Sequence, residues 1–431
     1  MSGPDGPVSV GLGPALRSGG PPAQAELLVH NLACLYTCDP AAGPLGRQEQ
    51  CSIAFVDGRV AWIGPAAHAP GADEVIDCAG LIGVPGLVDC HTHAIWAGSR
   101  SGEFRRRLAG TPYTQILEEG GGILSTVAAT RRASRDDLAC LGRLRLEGLR
   151  SHGVTTVEVK SGYGLSPDAE EKILDAAWDC QDTVRVVPTF LGAHAIPEAY
   201  RSSRLRGAYV RQVIEEQLPR CAELADFVDV YCDRGAFDLD ESRAILEAGR
   251  ALGLSVRAHA EQVSHTGIAA VAAALGATCV DHLERIDSAG IAAMAAHGTV
   301  GVLLPGAQLY LRDSAPPVDA LREAGVPLAI ATDLNPGSSP VHCPWTIATL
   351  ACITQGFTVE EAFLGLTRTA GQALGRPELG WLGACSVGDL AVFAAPPGEP
   401  AGIDGLVQQM GAHRALLVVR DGTVVLRDDA L

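Results

Sequence analysis

Two histidines stand one residue apart in LVDCHTHAIWAGSR, residues 87–100, directly behind an apolar run. Side chains along an extended strand alternate faces with a period of two, so His91 and His93 project to the same side. Two neutral imidazoles held together can bind a transition ion of intermediate softness, such as zinc or iron. The plainer alternative is a pair of core histidines satisfied by hydrogen bonds, because His-x-His is short and recurs by chance. The choice between them depends on what the rest of the chain brings to the same place.

The elements that must position the pair emerge from about residue 80. Eight short apolar runs, GLVDCHT, TTVEVKS, VRVVPTF, FVDVYCD, SVRAHAE, TCVDHLE, TVGVLLP and PLAIATD, alternate with amphipathic or Ala-rich stretches. Two of those stretches, SPDAEEKILDAAWD and DLDESRAILEAGRALG, carry helix-start signals. Strands so continuously apolar belong in a parallel sheet covered by helices. Eight strand–helix units are the number that closes a (β/α)8 TIM-like barrel, so the predicted fold class is α/β. The long interval between the first two strands must hold extra helices, starting around YTQILEEGGGI.

The chain ends read differently. CSIAFVDGRVAWIGP and ALLVVRDGTVVLRD are each two alternating strands around an Asp-Gly pair, Asp57-Gly58 and Asp421-Gly422. Neither is large enough to be stable alone, so both are predicted to join one small composite β domain beside the barrel. The expected division is a flexible tail over 1–24, the β domain over 25–84 plus 385–431, and the barrel over 85–384.

Barrels of this kind carry their active sites at the C-terminal ends of the strands. Strand one ends in His91 and His93, strand two in Lys160, and strand three runs on to His194. Strand four ends at Asp233, strand five at His259, strand six at His282 and strand eight at Asp333. Five of only 12 histidines thus fall at one face, where chance would scatter them over helices and loops. The predicted metal ligands are His91, His93, His259 and Asp333, with a water completing the set. A bound metal lowers the pKa of such a water from near 16 towards about 7. His282 is the candidate proton carrier next to them, and its plainer role is a structural histidine beside Glu284.

Composition narrows the function classes. A formal net charge of −17 argues against nucleic acid and anionic membranes as partners. The 13 cysteines are odd in number, scattered and without a CxxC pair, which reads as a reduced, cytoplasmic protein. The opening MSGPDGPVSVGLGPALRSGGPPAQ is rich in Gly and Pro and has no contiguous apolar core of a signal peptide. The stretch GIAAVAAALGATCV is too short to span a bilayer.

The motifs PGLVDCHTH, RAHAEQ, VDHLE and ATDLNPGSSP, in that order, resemble the amidohydrolase superfamily. HTHAIWAGSR, EEGGGI, EVKSGYGL, PTFLGAHAIP, HAEQ, VLLPGAQLYLR and TDLNPGSSP are similar, more closely, to the imidazolonepropionase family of histidine degradation. The resemblance implies hydrolysis of 4-imidazolone-5-propanoate to N-formimidoyl-L-glutamate. It places the family's metal ligands on His91, His93, His259 and Asp333. Its substrate contacts fall on Arg100, Tyr163, His194, Gln262, Asn335, Gly337 and Ser338. Position 262 is glutamate in some relatives. As Gln262 it acts only as a neutral donor and acceptor, and Glu261 is expected to point to the opposite side. Two-metal relatives use a modified lysine at the end of strand four. VYCDRG has none there, so one metal ion is expected, zinc or iron.

Each contact has a blander reading. Arg100 could be a solvated loop arginine, and Tyr163 could pack on its own loop. Gly337 could supply a positive φ, and Asn335 could open a turn. The expected chemistry is attack of activated water on the ring carbonyl, with Asp333 taking the proton and passing it to the departing ring nitrogen, and His282 sharing that relay. No GxSxG-type nucleophile motif occurs in the chain. The rival readings are another cyclic amidohydrolase, a deaminase acting on a heterocycle, and a non-catalytic scaffold of the same fold. The sequence does not fix the oligomeric state, and a homodimer is one option.

Overall fold

The computed structural model of the chain describes residues 20–111, 115 and 119–431. Residues 1–19 of the expected tail lie outside the described residues, as do positions 113, 114 and 116–118 of YTQILEEGGGI. All eight predicted apolar runs form parallel strands of one sheet. In chain order they are Leu87–Asp89, Val154–Lys160, Arg185–Ala193, Phe227–Cys232, a fifth in two pieces, Cys279–His282, Val300–Leu303 and Leu328–Ile330. The fifth comprises Ser255–Val256 and His259–Ala260, interrupted where the Arg257 side chain turns into the barrel to reach the Cys90 carbonyl at 2.7 Å.

The ring closes between strands eight and one. Asp333 N–H donates to the His91 carbonyl and His93 N–H to the Leu334 carbonyl, each at 3.0 Å. This closure stitches the His-x-His segment to the segment carrying Asp333. It therefore fixes three candidate ligands against one another through the backbone.

The covering helices follow their sequence signals. Asp238 and Glu241 form a reciprocal capping box at the start of Leu239–Ala251. Pro167 occupies the first turn of Pro167–Trp178, where its missing N–H costs nothing. Helix Pro167–Trp178 buries Ile173, Leu174, Ala176 and Ala177, while all seven residues of strand two are buried. The interval between strands one and two holds helices Ser101–Leu108, Ile123–Arg132 and Arg135–Arg150. The first begins earlier than the sequence suggests. Glu103 in its first turn and Arg105–Arg107 in its last match the helix dipole, a signal that outweighs its lack of an apolar face.

Both chain ends join one eight-stranded sheet. Ile82–Pro85 is its seam, pairing in parallel with Gln24–Tyr36 and antiparallel with Leu390–Phe393. The two Asp-Gly turns have positive φ at both residues, 50° and 73° at Asp57-Gly58 and 48° and 71° at Asp421-Gly422. Those values fit the tight hairpin turn whose twist matches its strands. The sheet has its own core, including Leu32, Ile53, Phe55, Leu390 and Leu417. Arg185, at the start of barrel strand three, ties the two layers together through Asp389 at 2.6 Å and Asp421 at 2.5 Å. No helix among the described residues is long and apolar enough to cross a membrane.

Candidate active site

Strands one, five, six and eight deliver His91, His93, His259, His282 and Asp333 to one end of the barrel, and all five are buried. Asp333 Oδ1 lies 3.5 Å from His91 Nε2 and 3.6 Å from His93 Nε2. His93 Nε2 lies 3.4 Å from His259 Nε2. Nitrogen ligands around a tetrahedral zinc at about 2.0–2.1 Å stand about 3.3 Å apart, so these spacings fit an ion between them. His91 Nε2 is fully buried without a hydrogen-bond partner, an arrangement that a bound cation would satisfy. His282 also falls within ligand distance of His91 and His259.

The tautomers follow from the outer partners. His91 Nδ1–H donates to Asp281 Oδ2 at 2.9 Å, and His259 Nδ1–H donates to Asp229 at 3.1 Å. Each imidazole is left with its Nε2 lone pair facing the centre. Burial, reinforced by neighbouring cationic groups, holds His91 and His93 well below the ordinary histidine range. Burial also pushes the Asp333 carboxyl up to about 7. Neutral imidazoles beside a carboxylate that is costly to bury as an anion make a donor set suited to a cation. At His282, burial acts downward, but Glu284, Asp333 and Asp281 outweigh it and its pKa is raised.

Beneath this layer lies a buried charge cluster. Lys160 Nζ lies 2.8 Å from Asp229, 2.9 Å from Glu158 and 3.6 Å from Asp281. Arg257 reaches Asp281 at 3.2 Å. Of these residues only Lys160 stands out from sequence as a strand-end group. The missed signal was alternation, because VEVK and VDV place charges at every second position of otherwise apolar strands, all facing inward.

The predicted substrate contacts surround the same centre in part. His194 stacks on His93 with centroids 4.9 Å apart, and Tyr163 lies 5.8 Å from His93 and 5.4 Å from His194. His194 Nδ1–H donates to the Gly162 carbonyl at 3.0 Å, leaving Nε2 an acceptor. Burial, then the charge of His259, lowers its pKa to about 3, so it is neutral. The loop holding Tyr163 is built by Glu170, whose carboxylate accepts from Gly162, Gly164 and Leu165 N–H at 2.6–2.8 Å. Sequence reading missed Glu170, which looks there like one more helix-surface acid.

Arg100 is not a solvated loop arginine. Its Nε and Nη2 fork onto Glu103 at 2.6 and 2.5 Å, and Glu103 also accepts from Gly122 N–H at 3.0 Å. Gly337 has no left-handed φ, so that explanation of the glycine fails. A Cβ there would lie 2.9 Å from Arg100 Nη1, and glycine is what lets the guanidinium approach the turn. The Asn335 side chain is engaged in that turn, accepting from Gly337 and Ser338 N–H at 2.8 Å and donating to the Asp333 carbonyl at 2.7 Å. Gln262 is half-buried, and Glu261 points away from it to accept from Thr266 and Gly267 N–H. Asp233 likewise organises a loop, accepting from Val263 N–H at 2.7 Å.

Residues 99–426 match the amidohydrolase family. The chain is 47% identical over 378 residues to the imidazolonepropionase of Methylobacterium nodulans, covering 86% of this chain and 94% of that protein. It is 42% identical to the imidazolonepropionase of Shewanella putrefaciens, covering 91% and 97%. Among solved structures, an adenosine deaminase from Xanthomonas campestris with bound zinc superposes with a TM-score of 0.71 at 18% identity, covering 95% of each chain. Atrazine chlorohydrolase TrzN from Arthrobacter aurescens, complexed with zinc, gives 0.69 at 16% identity, covering 93% of this chain and 95% of that one. At such identities the structural likeness speaks for the fold.

Proposed function

The chain belongs to the amidohydrolase family and, within it, to the imidazolonepropionases, and from that premise we propose how its residues carry the reaction. The reaction is hydrolytic ring opening of 4-imidazolone-5-propanoate to N-formimidoyl-L-glutamate. We assign His91, His93, His259 and Asp333 as ligands of a single transition ion, zinc or iron. The approach of Asp333 Oδ1 to His91 and His93 Nε2 at 3.5 and 3.6 Å, and of His93 Nε2 to His259 Nε2 at 3.4 Å, carries this assignment. The single ion is supported by strand four, which offers no lysine, and by Lys160, whose ammonium is already held by Glu158 and Asp229.

When bound, the ion supplies an acidified water and an electrophile for the ring carbonyl oxygen. Asp333 takes the proton of the attacking water at its carboxylate oxygen. It then delivers that proton to the ring nitrogen as the C–N bond breaks, which yields the open formimidoyl product. His282 holds a second proton beside it, with Glu284 supporting its charged form. Arg100 binds the propanoate. Tyr163, His194, Gln262, Asn335, Gly337 and Ser338 line the ring and tail of the substrate.

The test is turnover of freshly generated 4-imidazolone-5-propanoate by metal-replete protein, followed by loss of its ultraviolet absorbance. Turnover without ammonia release is expected. Ammonia release would identify a deaminase instead, and absence of turnover with the metal bound would leave the scaffold reading.

A further inference from the structure

One lysine touches the support of three metal-site elements. Lys160 Nζ is fully buried and lies 2.8 Å from Asp229, 2.9 Å from Glu158 and 3.6 Å from Asp281. Asp229 holds the Nδ1 proton of His259, and Asp281 holds that of His91. Glu158 accepts from Thr92 N–H at 3.1 Å, and its own carbonyl accepts from the Thr92 hydroxyl at 2.6 Å, which pins the backbone between His91 and His93. Three carboxylates buried this close repel one another, and the ammonium lies between them. An Asp229 or Asp281 carboxylate that swung off its imidazole would no longer fix the orientation of that ring. Arg257 offsets part of this charge, but it reaches Asp281 at 3.2 Å and Glu158 only at 3.8 Å.

The geometry points to Lys160 as a positioning residue that sets His91 and His259 for metal binding through Asp281 and Asp229. Its ammonium is held by the carboxylates that support the proposed ligands. That ammonium is the shared partner that holds both carboxylates in place beneath the rings, so that both Nε2 lone pairs face the centre. A lysine that served only the fold would stabilise the metal-free and metal-loaded chain alike. The positioning role instead makes metal affinity depend on a group one layer away.

This inference rests on the ligand set assigned above, and the experiment separates the two. Zinc affinity of the folded full chain is measured by competition with a chromophoric chelator, alongside thermal melts with and without zinc. Lys160→Met is expected to weaken zinc by about 10–100-fold, the range for losing an outer partner of a metal ligand. The rise in Tm on adding zinc should shrink with it.

The charge-balanced variant Lys160→Met with Glu158→Gln removes one charge of each sign, which guards against a single variant that does not fold. It should bind zinc at least ~10-fold more weakly than Glu158→Gln alone, on the same scale. Equal affinities in that pair would overturn the inference. So would a Lys160→Met chain with wild-type zinc affinity and equal loss of Tm with and without metal. If wild type binds zinc no better than His259→Ala, the ligand set itself has failed and the role of Lys160 with it. Tight wild-type binding, lost in His259→Ala but unchanged in the lysine variants, rejects Lys160 alone.

Discussion

His259 presents its Nε2 to the centre because Asp229 holds the other ring nitrogen, so truncating it removes a proposed ligand that is already oriented. Replacing His259 by Ala is expected to remove most bound metal and nearly all activity, with elemental analysis as the check. Two equivalents of tightly held metal per wild-type chain would contradict the single-ion site. Asp333→Asn keeps the shape of the carboxyl group but cannot take a proton. In metal-loaded protein its kcat should fall at least ~10²-fold, the lower range for general base catalysis. Near-normal turnover in a loaded variant would move that work to His282.

Arg100 answers a different need. A chain at −17 repels a propanoate at long range, so a local cation must hold it. The guanidinium already grips Glu103 with one edge, and Gly337 opens space beside Nη1. Arg100→Met should cost about 2–4 kcal/mol in kcat/KM, as when one side of a buried charge pair is lost. An analogue without the carboxylate should be nearly indifferent to the change. Equal slowing of both substrates would assign Arg100 to the fold or the metal site.

At the scale of elements, the barrel strands were legible because burial on both faces writes each one as a short apolar run. The histidines and the aspartate proposed as ligands were legible as candidates because they sit where those runs end. Less visible were residues whose partners come from distant parts of the chain. Glu170 reads as an ordinary helix acid, yet it holds three N–H groups of the loop that carries Tyr163. Glu158, Asp229 and Asp281 sit in strands whose apolar character masks them, and their pairing with Lys160 appears only once the barrel closes. Arg100 showed its charge in the sequence but not Glu103, three residues on, as its partner. Glu170→Gln places an amide N–H₂ against backbone donors and should lower stability by about 1–3 kcal/mol, the cost of unsatisfied buried polar groups. Urea unfolding measures that loss. KM should rise more than kcat falls, because Tyr163 and His194 both depend on this loop.

At the scale of the whole molecule, several hydrogen bonds join the barrel to the composite sheet, and Arg185 adds ion pairs to Asp389 and Asp421. Arg185 is 14% exposed and pairs with Asp389, which is 5% exposed. Arg185→Met leaves Asp389 without that partner and should destabilise the chain by about 2–3 kcal/mol, somewhat below the cost of breaking a fully buried pair. The urea midpoint should fall while kcat and KM at 25 °C stay near wild type. A change in metal content would show that this joint reaches the active site. The seam strand Ile82–Pro85 also has a consequence for the birth of the protein. Its partner Leu390–Phe393 leaves the ribosome about 300 residues later, a wait of roughly 15–60 s at ordinary rates of synthesis. Through that interval the nascent chain carries one open, apolar strand edge, which makes this segment the natural point for a chaperone to hold and for aggregation to begin.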